Sequence, residues 1–344
     1  MDQLHEEDLA PKTKKNIKNE SGMSSSQRQW IQVLKAVQKD YSAKIDYDGL
    51  ASAIKGCSPP YHFIDFETTR VAIPFNSGRH PYEQVAFQFS HHVVHEDGII
   101  EHKDQYINRN RGKFPNFDFI RELKKALSTD DGTIFRYAIH ENSVLCDIHD
   151  QLQFSNEPDR EELCAWITTV TDSKKDHISP WNGTRSMVDL CEWVKSFYYH
   201  PLTKGSNSIK KVLPAILQES KFLQTKYSQP IYGDGKRILS LNFRNQVWIK
   251  TGSDGMVVDP YRLLEPIFTD LDLDTMDSLI RDNSLADGGA AMTAYARMQF
   301  SEMSEIETRR ASDALLRYCE LDTFAMVMIW EYWQDVLSKQ SKEP

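Results

Sequence analysis

The chain of 344 residues is 40% hydrophobic and 26% charged, which is typical of a globular protein with one large α/β domain or two average domains. Its formal net charge of −9 argues against nucleic-acid binding over the whole surface, so any such contact requires a local basic patch. Five scattered cysteines form no Cys-x-x-Cys pair and there is no apolar run of spanning length, so we expect a cytoplasmic protein without zinc knuckle, disulfide framework or membrane contact.

The N-terminal region divides into two parts. Residues 1–26 are polar, rich in Lys, Asn, Glu and Ser, and predict a disordered tail. Residues 27–58 predict a helical extension, because apolar side chains recur at helical spacing within residues 27–40. A loop then leads into the main domain, which we expect to span residues 59–338.

Residues 61–70 (YHFIDFETTR) carry the most informative pattern in the chain. The Tyr, Phe and Ile residues predict a buried strand, on which Asp65 and Glu67 share one face. Buried carboxylates are costly unless they are paired or bind a metal, and Mg²⁺ or Mn²⁺ prefer oxygen ligands. The pattern predicts a metal site, with the alternative that the strand frays at Asp65 and both acids are solvated.

The following segments predict a mixture of strands and helices. We expect strands at residues 85–94, 102–107 and 132–137 and helices at residues 114–127, 138–152, 157–171 and 187–199. Glu141 falls at a strand-to-helix junction, where an acid can face a neighbouring strand end. The alternative is that Glu141 is a first-turn acid favoured by the helix dipole alone. Asp147 is a weaker candidate, and Asp189 is interpreted as the N-terminal acid of its helix.

Residues 204–217 (KGSNSIKKVLPAIL) predict a basic loop with a helix that starts at Ser208. Lys204, Lys210 and Lys211 are candidates for phosphate contacts, together with amides at the helix N-terminus. The alternative is a solvated surface helix. Beyond this loop, residues 238–259 predict an inserted β-hairpin.

The C-terminal part predicts two further helices. Residues 285–298 contain paired glycines that allow a tight helix entry, and residues 305–336 predict a long helix. Tyr318 and Asp322 are four residues apart and therefore neighbours on one helix face. An Asp in an apolar stripe is costly unless it has a partner, which predicts a shared site. The alternatives are an ion pair with an Arg such as Arg317 or Arg309, or exposure on the edge of the helix.

These motifs together resemble the DEDD exonuclease superfamily, whose members share the RNase H-like fold of the proofreading exonucleases. More closely, the chain is similar to a bacterial family of RNase H-like domains, and the resemblance covers about residues 60–333. The segments that carry it, in order, are FIDFET, IPFNSGRHPYEQVAFQFSHH, FYYHPLTKGSNSIKKVLPAI, DPYRLLEPIF, DGGAAMTAY and LLRYCELDTFAMVMIW. The resemblance implies an α/β RNase H-like fold with helices on both sides of a central mixed sheet.

The resemblance also implies a site. Asp65 and Glu67 match the first acidic motif, Glu141 the second and Asp322 the last, as ligands of two Mg²⁺ or Mn²⁺ ions. Tyr318 matches the tyrosine of the Tyr-x-x-x-Asp subclass and would orient the attacking water. The expected substrate contacts are Thr68, Lys204, Ser208, Lys210 and Lys211. The second motif departs from the family pattern, because Glu141 replaces the usual Asp and Tyr137 the usual Asn.

The implied activity is hydrolysis of phosphodiester bonds from a 3′ end of single-stranded DNA or RNA by a two-metal mechanism. One alternative is a catalytically inactive scaffold that binds nucleic acid or protein, which the acidic charge and the Glu in the second motif favour. Another is a hydrolase of free nucleotides or other phosphoesters. Similar proteins often carry an N-terminal nuclease-like domain with cysteine ligands, for which residues 1–58 are too short, so we expect a protein partner to supply that module if it is needed.

Overall fold

The computed structural model describes residues 22–174, 177–264 and 289–341. Residues 1–21 of the predicted tail lie outside the described residues. The first helix begins at Ser25, two residues before the predicted boundary between the tail and the helical extension. Ser24 and Gln27 form a capping box there, which satisfies backbone N–H groups at the helix start.

Ten α-helices lie in the described part of the chain. They are α1 (Ser25–Gln38), α2 (Tyr47–Lys55), α3 (Asn116–Leu127), α4 (His140–Gln153), α5 (Arg160–Val170), α6 (Leu190–Phe197), α7 (Ile209–Glu219), α8 (Lys221–Tyr227), α9 (Gly289–Phe300) and α10 (Glu305–Gln340), with 3-10 turns at Pro201–Thr203 and Pro260–Leu263. Within the described ranges, no helix combines the length and apolar character that crossing a membrane requires.

Eight strands lie between these helices in the described residues. They are β1 (Lys44–Ile45), β2 (Tyr61–Thr69), β3 (Val85–Val94), β4 (Ile100–Ile107), β5 (Ile134–Arg136), β6 (Val188–Asp189), β7 (Tyr198–Tyr199) and β8 (Ile238–Leu239). Six of them form a mixed sheet in the order β6-β5-β2-β3-β4-β8. Neighbours among β2, β3 and β4 are antiparallel, whereas β5 is parallel to β2, β6 to β5 and β8 to β4. This mixed sheet with flanking helices confirms the predicted α/β class.

The core lies on both faces of the sheet, because successive side chains of β2 point in opposite directions. On one face Phe66 packs edge-to-face against Phe119 of α3, in a core completed by α4 and α5. On the other face Phe63 packs near Trp330 of α10, in a core completed by α6, α7 and α8. A smaller core joins β3 to α9 and the start of α10. The long helix α10 therefore crosses the face of β2 that carries the odd-numbered residues.

Two predicted elements differ from the structure. The hairpin predicted at residues 238–259 is reduced to a short antiparallel turn, in which Thr251 and Val257 form an isolated bridge and the amide of Val258 donates to the carbonyl of Lys250. No strand pair extends from this turn, and β8 is the one strand in this range. The amides of Trp248 and Ile249 donate instead to the carbonyl of Tyr227, which draws Trp248 into the core.

The helix predicted at residues 187–199 is shorter than expected. Asp189 ends β6 and caps α6 by accepting hydrogen bonds from the amides of Cys191 and Glu192, which confirms its interpretation as the N-terminal acid. The chain after α6 forms β7, which pairs with β1 and ties the N-terminal extension to the main domain.

Candidate active site

The carboxylates of β2 lie on the strand face that packs against α10. Tyr61, Asp65 and Glu67 alternate onto this face, and the ring centroid of Tyr61 is 4.6 Å from that of Trp330. The strand continues to Thr69, so the alternative that it frays at Asp65 is wrong. A rigid strand thus presents two acids side by side where the apolar part of its face ends.

Helix α10 brings a third carboxylate to the same place. The Sγ atom of Cys319 lies 3.6 Å from the backbone oxygen of Asp65 and 3.5 Å from its Oδ2 atom. Asp322 lies three residues further along, hence on the same side of the helix. It is 7% exposed and lines the cavity that Asp65 and Glu67 also line.

Helix α4 supplies the fourth carboxylate. Strand β5 is the parallel neighbour of β2, and the helix that follows it starts at His140. Glu141 therefore enters the site from the first helical turn, with only 2% of its surface exposed. Asp65, Glu67, Glu141 and Asp322 all line one cavity of about 470 Å³. By contrast, Asp147 pairs with Arg70 and Lys174.

The environment of these carboxylates opposes their ionisation. Burial raises the pKa of Asp65 well above its ordinary value, and the nearby Asp322 raises it further. Burial, then Asp65 and Asp322, raises the pKa of Glu67 in the same way. The pKa of Glu141 is raised by burial and then by Asp65. Lys210 opposes the increase at Asp65 and Glu67 without cancelling it.

The donor atoms present fit a divalent cation. Glu141 Oε2 is buried without a hydrogen-bond partner among the described residues, which is costly for a carboxylate unless a ligand binds it. One ligand atom from each of Asp65, Glu67 and Cys319 lies within 4.8 Å of the other two. Carboxylate oxygens suit Mg²⁺ or Mn²⁺, and a cation would neutralise charges that now repel one another.

Asp322 has a hydrogen-bond partner that sequence reasoning missed. The hydroxyl of Tyr261, in the 3-10 turn Pro260–Leu263, donates to Asp322 Oδ1 at 2.5 Å. Tyr261 belongs to the segment DPYRLLEPIF, but nothing in that segment's pattern indicates a contact with α10. Tyr318 lies one turn before Asp322 and does not line the cavity. Its ring centroid is 5.9 Å from that of Tyr261.

The arginines considered as partners of Asp322 have other neighbours. The Nε atom of Arg309 is 3.9 Å from a carboxylate oxygen of Asp313, and the guanidinium carbon of Arg317 is 5.9 Å from the ring centroid of Phe243. The carboxylate of Asp322 faces the shared cavity, so the exposed-edge alternative is wrong.

The basic loop contributes one lysine to the cavity. Helix α7 starts directly after Ser208, as predicted, and both Ser208 and Lys210 line the cavity. Lys210 Nζ lies 5.0 Å from the ring centroid of Tyr318. Lys204 and Lys211 are exposed and do not line the cavity, so the structure brings only part of the predicted basic set to the site.

Thr68, a predicted substrate contact, and Tyr137 line the cavity beside the carboxylates. Thr68 lines the cavity, and its Oγ1 atom lies 3.1 Å from Nε2 of His140. Tyr137, which stands where the resembling family has Asn, also lines the cavity and donates its hydroxyl proton to the backbone oxygen of Asn207 at 2.5 Å.

The turn that aims Glu141 is conformationally strained. Ala138 has φ 71°, in the left-handed region that costs an L-residue roughly 1–2 kcal/mol. Its amide donates to Asp189 Oδ1 at 2.9 Å, and its carbonyl accepts from the guanidinium of Arg136. Arg136 also pairs with Asp189 at 2.8 Å. These contacts hold the turn that precedes the first residues of α4.

Comparison with known proteins adds a family match over part of the chain. A model described as a domain of unknown function (DUF2779) matches residues 62–208. The matched region contains Asp65, Glu67 and Glu141, and it ends before Tyr261 and Asp322. Searches of the curated proteins and of the solved structures gave no significant match.

Proposed function

We propose that this chain is a metal-dependent nuclease of the DEDD exonuclease superfamily that removes nucleotides from the 3′ end of single-stranded DNA or RNA. The observation that carries the proposal is the convergence of four carboxylates, remote in sequence, on one cavity: Asp65, Glu67, Glu141 and Asp322. A buried cluster of like charges lowers stability, so its presence is best explained by a cationic ligand.

The order of strands supports the RNase H-like part of the proposal. Strands β2, β3 and β4 form an antiparallel meander, and β5 and β6 extend the sheet in parallel on the other side of β2. The acid-bearing strand is therefore central, with a helix crossing its face and another starting beside its end. An RNase H-like nuclease is expected to have this arrangement around its metal ligands.

The four carboxylates would hold two Mg²⁺ or Mn²⁺ ions. Bound there, the ions supply Lewis-acid activation of water and charge neutralisation at the departing 3′ oxygen. Tyr261 fixes the orientation of Asp322 through its hydrogen bond, and the Sγ atom of Cys319 contacts Oδ2 of Asp65. Tyr318 is retained as the candidate for orienting water, close to Lys210 at the edge of the site.

Two other residues that line the cavity support a phosphate-bearing substrate. Ser208 and Lys210 bring the N-terminus of α7 and an ammonium group to the cavity that holds the carboxylates. Helix N-terminal amides and a lysine together favour an anion. A cavity of about 470 Å³ has the size of a small-ligand site, which suits one terminal nucleotide better than a duplex.

A nuclease assay with Mn²⁺ tests the proposal. Oligonucleotides of DNA and of RNA, labelled at the 5′ end, are incubated with the wild type, with Asp65→Asn and with Asp97→Asn. Asp97 lies in the turn between β3 and β4 and is a matched control, because it is exposed and does not line the cavity. We expect a ladder of products shortened from the 3′ end with the wild type and Asp97→Asn, and at least a 100-fold lower rate with Asp65→Asn.

Two outcomes would contradict the proposal. Equal background rates in all three proteins would favour the scaffold alternative. Turnover of free nucleotides without shortening of the labelled oligomer would favour a phosphoesterase of small molecules.

A further inference from the structure

A second group of potential metal ligands lies at the far end of α4. One ligand atom from each of His149, Asp150 and His177 lies within 4.8 Å of the other two. His149 is eight residues after Glu141 on the same helix, which is about 12 Å along the helix axis. The group is therefore separate from the carboxylate cluster described above.

The chain holds His177 in place against α4. His177 belongs to the segment between Asp172 and Asn182, which are joined by an antiparallel bridge. The ring of Trp181 packs against both imidazoles, with centroids 4.8 Å from His149 and 4.7 Å from His177. Two rings from distant parts of the sequence are thus packed into a fixed relation to one carboxylate.

The distances within the group match those between ligands of one ion. Asp150 Oδ1 lies 3.2 Å from His149 Nδ1 and 3.2 Å from His177 Nε2. Bonds of about 2.0–2.2 Å in a tetrahedral zinc site place neighbouring ligand atoms about 3.3 Å apart. The observed spacing is therefore compatible with two imidazoles and a carboxylate around one cation.

The backbone beside His177 can support the metal-binding form of its ring. His177 Nδ1 lies 3.0 Å from the carbonyl oxygen of Ser179 and 3.2 Å from its amide nitrogen. When Nδ1 carries the proton and donates to the carbonyl, Nε2 presents its lone pair toward Asp150. A ligating histidine usually has this kind of partner on its other nitrogen.

Solvent can complete the coordination. The side chain of His149 is 6% exposed, that of His177 16% and that of Asp150 45%. Asp150 also lines a cavity of about 620 Å³ together with Arg79 and His80. Three protein ligands with one open side are typical of a zinc site that keeps a water or exchangeable ligand.

We propose that His149, Asp150 and His177 form a second metal site, which binds a zinc-class transition ion in preference to Mg²⁺. Imidazole nitrogens favour Zn²⁺ and its neighbours, whereas Mg²⁺ prefers an all-oxygen shell. The ion fastens the segment that carries His177 to α4. This proposal does not depend on the nuclease proposal.

Titration with Co²⁺ in the presence of excess Mg²⁺ tests the site in the full chain. Tetrahedral Co²⁺ absorbs visible light far more strongly than octahedral Co²⁺, so the spectrum separates this site from a carboxylate site. We expect one equivalent of strongly absorbing Co²⁺ in the wild type, displaced by Zn²⁺, and a rise in Tm on addition of Zn²⁺. Loss of a direct ligand in His177→Ala should weaken Co²⁺ binding by more than about 100-fold, since even outer-shell partners contribute 10–100-fold.

Two further variants distinguish a loss of metal binding from a general loss of stability. Asp150→Asn keeps the shape of the side chain and one oxygen that can accept hydrogen bonds from the two imidazoles, so its Tm in EDTA should equal that of the wild type while Co²⁺ binding falls at least 10-fold. His95→Ala, in a histidine beside the turn between β3 and β4, should bind Co²⁺ as the wild type does. Wild-type affinity in Asp150→Asn or His177→Ala would overturn the proposal, as would the absence of the tetrahedral spectrum in the wild type.

Discussion

Replacing Glu67 by Gln should stabilise the protein in the absence of metal. Glu67 is 6% exposed, and its ligand atom lies within 4.8 Å of that of Asp65. Two unit charges at about that separation repel by about 3.5 kcal/mol at an effective dielectric constant of about 20. Protonation can relieve this repulsion, but at pH 7.5 it costs about 4.4 kcal/mol for a Glu with an ordinary pKa of about 4.3. Attraction to Lys210 offsets part of the repulsion.

We therefore expect Glu67→Gln to raise the free energy of unfolding by about 2–3 kcal/mol at pH 7.5, which corresponds to roughly 4–8 °C in Tm. The effect depends on pH. Because the folded-state pKa of Glu67 is raised, the wild type loses stability as pH rises above the unfolded-state pKa and through the folded-state pKa. At pH 5 the same protonation costs only about 1 kcal/mol, so the advantage of the variant should shrink to about 2 °C.

Thermal unfolding in EDTA and in Mn²⁺, each at pH 5 and pH 7.5, measures these differences. Mn²⁺ should raise the Tm of the wild type more than that of Glu67→Gln, because the variant has lost a charged ligand. Glu320→Gln is the matched control, because the pKa of Glu320 is shifted in the opposite direction to that of Glu67. Burial opposes ionisation of Glu320, but His102 and several hydrogen bonds outweigh burial and lower the pKa. We expect that control to lower Tm equally with and without Mn²⁺. A lower Tm of Glu67→Gln in EDTA at pH 7.5 would refute the reasoning.

Three other substitutions test neighbouring parts of the site. Tyr261→Phe removes the hydrogen bond to Asp322 and should lower the Mn²⁺-dependent nuclease rate about 10-fold, since a bond to a charged group contributes about 1.5–3 kcal/mol. A rate equal to that of the wild type would contradict this role of Tyr261. Lys210→Met removes the cation that opposes the raised pKa of the β2 carboxylates, so the pH at which Mn²⁺ begins to raise Tm should move upward, whereas an unchanged pH profile would exclude this role. Ala138→Gly relieves left-handed strain and should raise the free energy of unfolding by about 0.5–1 kcal/mol in urea titrations, and destabilisation would show that the turn is not strained.

The sequence predicts the elements whose patterns are local. Strand β3 occupies the predicted residues 85–94, and Ser208 precedes α7 as predicted. Strand alternation also explains why Asp65 and Glu67 share a face, since the strand period of two residues does not depend on the rest of the fold. The position of these two acids relative to one another could thus be predicted from residues 61–70 alone.

Features that depend on distant contacts could not be predicted in this way. The run at residues 245–250 resembles a strand, but burial of Trp248 against α10 and the hydrogen bonds to Tyr227 override its β propensity. The contact from Tyr261 to Asp322 joins residues far apart in the chain, and no spacing rule relates them. The left-handed conformation of Ala138 is also unexpected, because Gly, Asn or Asp usually occupies that region.

The contrast between two buried carboxylates shows why the cluster points to a ligand. Glu320 is completely buried, and the fold surrounds it with donors: Tyr232, Ser240 and Asn242 hydrogen-bond to its two oxygens. Glu141 is 2% exposed, yet its Oε2 atom has no hydrogen-bond partner among the described residues. After burial, the like charge of Asp65 is the largest cause of its raised pKa. The fold therefore supplies hydrogen-bond donors to both oxygens of Glu320, whereas Oε2 of Glu141 has none among the described residues. Since a buried carboxylate oxygen without a hydrogen-bond partner is costly, a cation at this cavity is the simplest way to balance it.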